Sequence, residues 1–315
     1  MTCPSASRHD DRRARQAPRR CGSALLLPAL LALSLLAPGC EEDVVAVLGT
    51  DRPFTLFGVL TPQLDTQWVR VFPIESVLEP GRAGPLDARF RSLDLTAGEE
   101  RRWQDSLLRE PNGEFAHVFW APFTASFGHT YRIEVTRSDG ATTDVTVTVP
   151  PRSELVLPER SLATPPLFPV HVAGQVPNLI RIEVVYTFVF RTVSDIRRDK
   201  ATFSYQGAQQ RTPDGWLIQL NVARDTRIIL ELLKEQYLLD PRNLIKIIEV
   251  QVRMIAANEA WDPPGGVFDP ELLVQPGVMS NVRNGFGFVG AGYRLSARWV
   301  PFDTLLTKAA SLPGF

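Results

Sequence analysis

Short runs that are rich in apolar residues, or in which apolar and polar residues alternate, recur through residues 53–150, and each run predicts a β-strand. The runs are Phe54–Leu60, Gln67–Phe72, Ala88–Leu95 and Glu114–Trp120. His129–Val149 contains two more on either side of Asp139-Gly140, and Asp-Gly between alternating runs is a strong β-hairpin signal. Six or seven short strands over about 100 residues are typical of a β-sandwich. We therefore predict an immunoglobulin-like or transthyretin-like β-sandwich over residues 53–150.

Longer apolar runs and one helical pattern fill residues 167–315. Alternation predicts strands at Ile180–Phe190, Trp216–Val222, Leu244–Ala256 and Phe286–Val300. Arg224–Leu239 instead has apolar residues at helical spacing, and Arg227 precedes Glu231 by about one turn. These elements predict an α+β domain in which one helix lies on a mostly antiparallel sheet. Prolines mark 151–166 as a Pro-rich linker, so the sequence predicts a mainly β protein of two domains.

Residues 1–39 have the layout of a bacterial signal peptide. Six arginines precede the apolar run Ala24–Ala37. A run of 14 residues is shorter than the roughly 20 that a membrane-spanning helix needs. A basic segment, a short apolar run and small residues before a cut site are typical of a secretory signal. We expect residues 1–39 to be removed on export.

The end of this signal resembles the bacterial lipobox, in which Leu and small residues precede an acylated cysteine. The matching residues are Leu36-Ala37-Pro38-Gly39-Cys40, with Pro38 departing from the usual small residue. The resemblance implies that Cys40 is acylated and that residues 40–52 form an acylated tether, because two or more acyl chains hold a protein stably on a membrane. Cys3 and Cys21 lie in the removed segment, so acylation also explains the one cysteine left. The alternative is a soluble secreted protein with a chance cysteine.

Charge and cysteine content exclude several kinds of partner and site. The signal peptide takes six of the 34 basic and two of the 35 acidic residues, which leaves a mature net charge of −5. That charge argues against a nucleic-acid partner, which needs a basic face. With Cys40 as its only cysteine, the mature chain has no means of forming an internal disulfide or a cysteine-ligated metal site.

Catalytic and cofactor motifs are weak in this sequence. Gly285–Gly290 matches G-x-G-x-x-G, but a dinucleotide site needs a strand before the motif and a helix after it. A strand-like run follows instead. We therefore interpret the glycines as residues that allow a tight turn and the close packing of strands. His117, His129 and His171 are too far apart in the sequence to form a local ligand pair, and His117 reads as a hydrogen-bonded sheet histidine. We expect no enzyme activity, no cofactor and no metal.

The segment Trp261–Asn284 is the candidate binding loop. It contains four prolines and the apolar residues Trp261, Phe268, Leu272 and Leu273. Long loops without secondary structure tend to be functional or disordered, and proline-stiffened apolar side chains suit a docking loop. The alternative is a loop packed back on its own sheet.

Several short motifs together resemble one lipoprotein family. They are Val69–Val71, Ser92–Gly98, Tyr131–Val135 and Ser280–Val289, and they follow a lipobox cysteine with the acidic residues Glu41-Glu42-Asp43 behind it. They are similar to the DUF4249 lipoproteins of Bacteroidota and related bacteria, which share Ser-Asn and then Gly-x-Gly-aromatic near their ends. The resemblance spans nearly the whole mature chain. It implies an outer-membrane lipoprotein, on the periplasmic or cell-surface face, that is accessory to TonB-dependent receptors.

Three functions stay open at this point. The expected one is a non-catalytic accessory lipoprotein that assists an outer-membrane protein through its sandwich edges and the 261–284 loop. The alternative is a ligand-binding lipoprotein for glycan, peptide or lipid, and the third is a hydrolase, for which no nucleophile–base pair can be named. A deep apolar pocket with convergent polar groups favours ligand binding, whereas a large flat apolar patch favours the accessory role.

Cys40→Ala removes the thiol that the lipobox resemblance assigns to acylation. We expect the full chain carrying Cys40→Ala to lose all label in cells fed an alkyne-tagged palmitate, while the wild-type chain is labelled. Cys21→Ala is the matched control, because Cys21 lies in the removed segment and its loss leaves the label in place. Wild-type labelling of the Cys40→Ala chain would contradict the anchor.

Overall fold

The chain folds around one large β-sheet, and its strands come from both ends of the described sequence. The computed structural model describes residues 51–74, 84–111, 113, 115–158, 167–237, 245–262 and 279–299, all within one unit, Gly49–Phe315. The strands are β1 (Phe54–Leu60), β2 (Gln67–Pro73), β3 (Arg89–Asp94), β4 (Glu99–Arg102), β5 (Gln104–Arg109), β6 (Phe115–Ala121), β7 (Thr130–Thr136), β8 (Thr142–Thr148), β9 (Glu154–Val156), β10 (Phe168–Ala173), β11 (Asn178–Arg191), β12 (Ile196–Ser204), β13 (Gln209–Thr212), β14 (Gly215–Leu220), β15 (Lys246–Ala257) and β16 (Gly285–Trp299). The helix α1 covers Val222–Gln236, and a short 3₁₀ helix covers Glu259–Trp261.

Eight strands form the large sheet, in the order β12-β11-β15-β16-β1-β2-β6-β5. Two four-stranded sheets, β4-β3-β7-β8 and β13-β14-β10-β9, complete the architecture. Neighbours in the large sheet are antiparallel, with one exception: β1 and β16 pair in parallel. The prediction of a mainly β protein with antiparallel sheets and one α-helix is confirmed for the described residues.

The first core lies between β4-β3-β7-β8 and the centre of the large sheet. The hairpin predicted from Asp139-Gly140 is present, since β7 pairs with β8 from Thr130 to Thr136. Val282, Val289 and Ala291, from the C-terminal part of the chain, lie in the same core as the hairpin residues. The C-terminal strand therefore completes the sandwich that the sequence places in 53–150. The Pro-rich linker predicted at 151–166 does not divide the large sheet, which contains strands from both sides of that segment.

The second core lies between the other end of the large sheet, α1 and the sheet β13-β14-β10-β9. β11, β14 and β15 match the strands predicted there, and α1 contributes Val222, Ile229 and Leu233 to the core. α1 begins after Asn221, whose side-chain oxygen accepts a 2.9 Å hydrogen bond from the Arg224 N–H. It ends at Gln236, three residues before the predicted end. Among the described residues, no helix has the length and apolar character needed to cross a membrane.

A buried carboxylate ties α1 to the large sheet. Asp225 is fully buried and accepts hydrogen bonds from the Tyr186 hydroxyl at 2.8 Å and the Tyr205 hydroxyl at 2.5 Å. Arg224 donates to its second oxygen at 2.7 Å. Burial first, and then the Asp225 carboxylate, raise the pKa of both tyrosine hydroxyls, so both stay protonated as donors. The group is satisfied internally, and its partners give it a structural role.

The glycines of the G-x-G-x-x-G match make the parallel pairing of β1 and β16 possible. Gly287 lies directly beside Leu56 with a φ of 96°, and a Cβ there would overlap the Leu56 carbonyl oxygen. A Cβ on Gly285 would come within 2.6 Å of the Phe54 carbonyl oxygen. The motif lies inside a strand and no helix follows it in the described residues. This confirms the strand-packing interpretation, and the strand–helix context of a dinucleotide site is absent from β16.

Gly287→Ala tests the close approach of β1 and β16. We expect it to lower the free energy of unfolding by about 3 kcal/mol, because the methyl group adds a backbone clash to the strain of a positive φ. Gly98→Ala is the control: Gly98 has a φ of 74° with open space around it, so strain alone costs about 1 kcal/mol. Denaturant unfolding measures both. Equal losses would contradict the close approach.

Candidate ligand-binding site

A pocket of about 560 Å³ opens on the face of the large sheet that points away from both cores, here called the outer face. Side chains along a strand point alternately to opposite faces. In β16, Val289, Ala291 and Tyr293 belong to the cores, so Gly292 and Arg294 lie on the outer face. The pocket forms where β11, β15 and β16 meet the turn between β1 and β2.

The floor of the pocket is apolar and comes from four separate parts of the chain. Val59 and Leu64 contribute from β1 and the turn after it, Ile180 from β11, and Ile255 from β15. Trp261 closes one side from the 3₁₀ helix. Val59 is 43% exposed and Leu64 is 54% exposed, so this floor leaves apolar surface in water.

Trp261 packs against β16 between Phe288 and Gly290. Its ring meets the Phe288 ring edge-on at a centroid distance of 5.0 Å. A Cβ on Gly290 would overlap the Trp261 indole, so only glycine leaves room for the ring against β16. The aromatic wall of the pocket therefore depends on Gly290 as well as on Trp261.

Two arginines supply the charge of the pocket. Ile180, Ile255 and Arg294 form one row across β11, β15 and β16, and Arg181 follows Ile180. Arg181 has a φ of 51° at a register shift between Ile180 and Glu183. A bulge of this kind re-aims a side chain, and a positive φ outside glycine is uncommon.

The guanidinium groups of Arg181 and Arg294 make no ion pair or hydrogen bond with the described residues, and no described acidic side chain lines this pocket. The neighbouring arginine on the outer face differs, since Arg253 donates to Glu183 at 2.6 Å. Among the residues that the structure describes, the pocket therefore presents two positive charges without a partner beside an apolar floor.

The turn that forms one wall is fixed by two glutamines. Gln67 is buried; its side-chain oxygen accepts from the Thr61 N–H at 2.8 Å, and its amide nitrogen donates to Thr61, Leu64 and Phe123 carbonyls. Gln63 pairs with the backbone of Arg294 in both directions, at 2.8 Å each. The wall is thus formed before any ligand binds.

The structure describes one of the binding residues predicted from the sequence. Trp261 lies in the pocket, whereas Cys40, Phe268, Leu272 and Leu273 lie outside the described residues. The sequence pointed to none of the other pocket residues, because they are distant in the chain and no motif marks them.

The described ends of the candidate loop are anchored. The Asn281 side chain donates to the Val289 carbonyl at 2.7 Å and accepts from its N–H at 3.0 Å. Arg283 pairs with Asp144 through both backbone and side chain. Both ends of the segment 261–284 therefore belong to the folded protein.

All three described histidines lie outside the pocket, and two of them, His117 and His129, pair with carboxylates. His117 Nδ1 is 2.8 Å from Asp105, which confirms the hydrogen-bonded sheet histidine, and His129 Nδ1 is 2.9 Å from Asp94. Burial raises the pKa of Asp94, but the His129 contact and two backbone N–H donors outweigh it and lower the pKa overall. The ionised Asp94 carboxylate therefore stabilises the folded state. This stabilisation is fully present above the ordinary pKa of a carboxyl group and is lost as the pH falls through the lowered pKa of Asp94. No three metal-ligating side chains converge among the described residues.

Gln67→Leu tests whether this buried amide organises the turn. We expect a loss of about 2–3 kcal/mol in the free energy of unfolding, because a buried N–H and buried carbonyls lose their partners. Gln63→Ala, at an exposed site, is the control and costs less than about 1 kcal/mol. Chemical denaturation measures both, and a Gln67→Leu loss no larger than that of Gln63→Ala would contradict this role.

Comparison with known proteins adds no relative to this picture. No protein-family model matches the chain, and no curated protein matches it. The resemblance to the DUF4249 lipoproteins therefore stays a prediction from short motifs. Function has to be argued from the pocket itself.

Proposed function

We propose that this chain is a non-catalytic, lipid-anchored binding protein of the bacterial outer membrane, and that its ligand binds in the pocket beside Trp261. One observation carries the proposal: an apolar, preformed concavity at whose rim two guanidinium groups have no partner among the described residues. Small-molecule sites are concave, mostly apolar and equipped with few polar groups that fix orientation. The lipobox at Cys40 supports the membrane anchor, and acyl chains there would leave the folded part outside the bilayer.

The proposal is non-catalytic because the pocket offers no chemistry beyond binding. Arginine is always protonated and is no general base. The pocket hydroxyl of Thr61 has no described histidine or carboxylate beside it to activate it. The two histidine–carboxylate pairs lie elsewhere in the first half of the chain. The residues present can hold and orient a ligand.

A second candidate is the accessory role at an outer-membrane protein, and it is favoured by the edge strand β5, beyond which no described strand pairs. β5 is the last strand of the large sheet, and Leu107 and Leu108 are exposed on it. Trp68, which lies two strands from this edge and is 46% exposed, stacks on Trp120. At the opposite edge, β12 carries Arg197, Arg198 and Lys200, and such charges discourage strand addition. An extended partner segment would therefore add to β5.

Leu64→Trp tests the pocket by filling it. We expect the mature lipoprotein, extracted from membranes in a mild nonionic detergent, to carry a small-molecule adduct in native mass spectrometry. Leu64→Trp removes the adduct, because the larger side chain takes up the volume. Leu108→Trp is the matched control, since Leu108 is 50% exposed against 54% for Leu64 and does not line the pocket.

Crosslinking in native membranes separates the two candidates. An outer-membrane protein captured by the wild-type chain but lost with Leu108→Arg, in the absence of any adduct, would replace ligand binding by the accessory role. An adduct that survives Leu64→Trp would contradict the pocket as its site.

A further inference from the structure

We infer that the ligand of this pocket is an amphiphile with a single anionic group, whose charge lies between Arg181 and Arg294 and whose apolar part lies along Val59, Leu64, Ile255 and Trp261. This inference rests on the proposed function and gives the chemical class of the ligand. Three features of the pocket support it: the placement of the two arginines, the charge balance around them, and the shortage of polar groups on the floor.

The two arginines flank one apolar residue. Ile180, Ile255 and Arg294 are aligned across three neighbouring strands, so Arg294 and the bulge at Arg181 stand about 10 Å apart, two strand spacings. Both side chains line the pocket above Ile255. A guanidinium is a planar fork of donors that matches a carboxylate or a phosphate. One anionic group above Ile255 is within reach of both forks.

The charge balance selects an anion. The chain as a whole is acidic after signal removal, yet the described residues lining the pocket include two arginines and no carboxylate. Glu183 lines an adjoining pocket on the same face together with Arg181 and Arg294, but its carboxylate is engaged by Arg253 at 2.6 Å. A cleft lined by one sign of charge with apolar walls attracts ligands of the opposite sign.

The other polar side chains of the described pocket lining are few and already have hydrogen bonds, which disfavours a sugar. Both ends of the Gln63 amide bond the backbone of Arg294, and the Thr61 hydroxyl accepts from the Gln63 N–H at 3.4 Å. The charged groups of the described lining that have no partner are the two guanidiniums, which only donate. Sugar hydroxyls need acceptors as well as donors around them.

The apolar floor completes the complementarity. Val59 and Leu64 are exposed there, and covering them with a hydrocarbon chain removes apolar surface from water. Trp261, fixed against Gly290 and Phe288, adds a rigid wall. A carboxylate-headed or phosphate-headed amphiphile fits both halves of this site.

The test uses isolated outer membranes that contain the full lipoprotein, so that no probe is attached to Cys40 by metabolism. The probes are an alkyne-tagged diazirine fatty acid and the alcohol of the same chain length. We expect saturable photolabelling by the acid at peptides containing Leu64 or Trp261. We expect excess dodecanoate or dodecyl phosphate to reduce this labelling and dodecanol to leave it unchanged. The stronger of the two anionic competitors shows whether the site prefers a carboxylate or a phosphate.

Substitutions then assign the charge. Arg181→Gln with Arg294→Gln raises the fatty-acid concentration for half-maximal labelling at least tenfold, because the charge-assisted hydrogen bonds are lost. Arg198→Gln, on β12 outside the pocket, leaves it unchanged. We expect the weak residual labelling by the alcohol to be the same in the wild-type chain, the double variant and the Arg198→Gln control.

Three results would overturn the inference, and they have different consequences. Equal labelling by acid and alcohol, both blocked by Leu64→Trp, would refute the anionic class and keep the pocket. No pocket labelling by either probe, while an adduct persists in native mass spectrometry, would refute the amphiphile and keep ligand binding. Loss of the adduct as well would refute the proposed function itself.

Discussion

The parallel pairing of β1 with β16 is the constraint on which the rest of the structure depends. It joins the first described strand to the last one, and so makes one sheet of strands from both halves of the chain. The pairing requires the backbones to approach closely at Gly285 and Gly287, where a Cβ would meet the β1 carbonyls. Because β16 is 15 residues long, its first half serves one core and its second half serves the other.

The pocket is a product of the same pairing. The turn after β1 comes to lie beside Arg294 only because β1 is next to β16, and Gln63 then fastens the turn to the Arg294 backbone. Arg181 reaches the pocket from two strands further along, through a bulge. The large sheet thus buries one face under two cores and leaves the pocket on the other.

Buried polar groups and exposed polar groups have different roles in this protein. Asp225, Gln67 and Asp94 are buried with their hydrogen bonds satisfied, and they fix a helix, a turn and a hairpin end. Arg181 and Arg294 are exposed, and their guanidinium groups have no described partner. A buried polar group without partners is costly, so unpaired charge is tolerated only where water, or a ligand, reaches it.

Local patterns predicted much of the fold and little of the site. Alternation identified β11, β15 and the β7–β8 hairpin, and helical spacing identified α1. β5 and β12 escaped notice because nearly all their residues are exposed, which leaves no alternation to see. Arg181 and Arg294 are brought together by pairing across long sequence distances, which no local pattern records. Trp261 was found as a large apolar residue among prolines, although its wall-forming contact depends on Gly290.

The most direct test of the account is a disulfide between β1 and β16. Thr55 and Phe286 are direct partners in the parallel register, so Thr55→Cys with Phe286→Cys brings two Cα atoms within the range that a disulfide requires. Phe57→Cys with Phe286→Cys is shifted by two residues, about 6.6 Å along the strand. After oxidation, we predict that the first pair loses both free thiols to alkylation and that the shifted pair keeps them. Equal reactivity in the two variants would contradict the parallel pairing, and with it the shared sheet and the pocket.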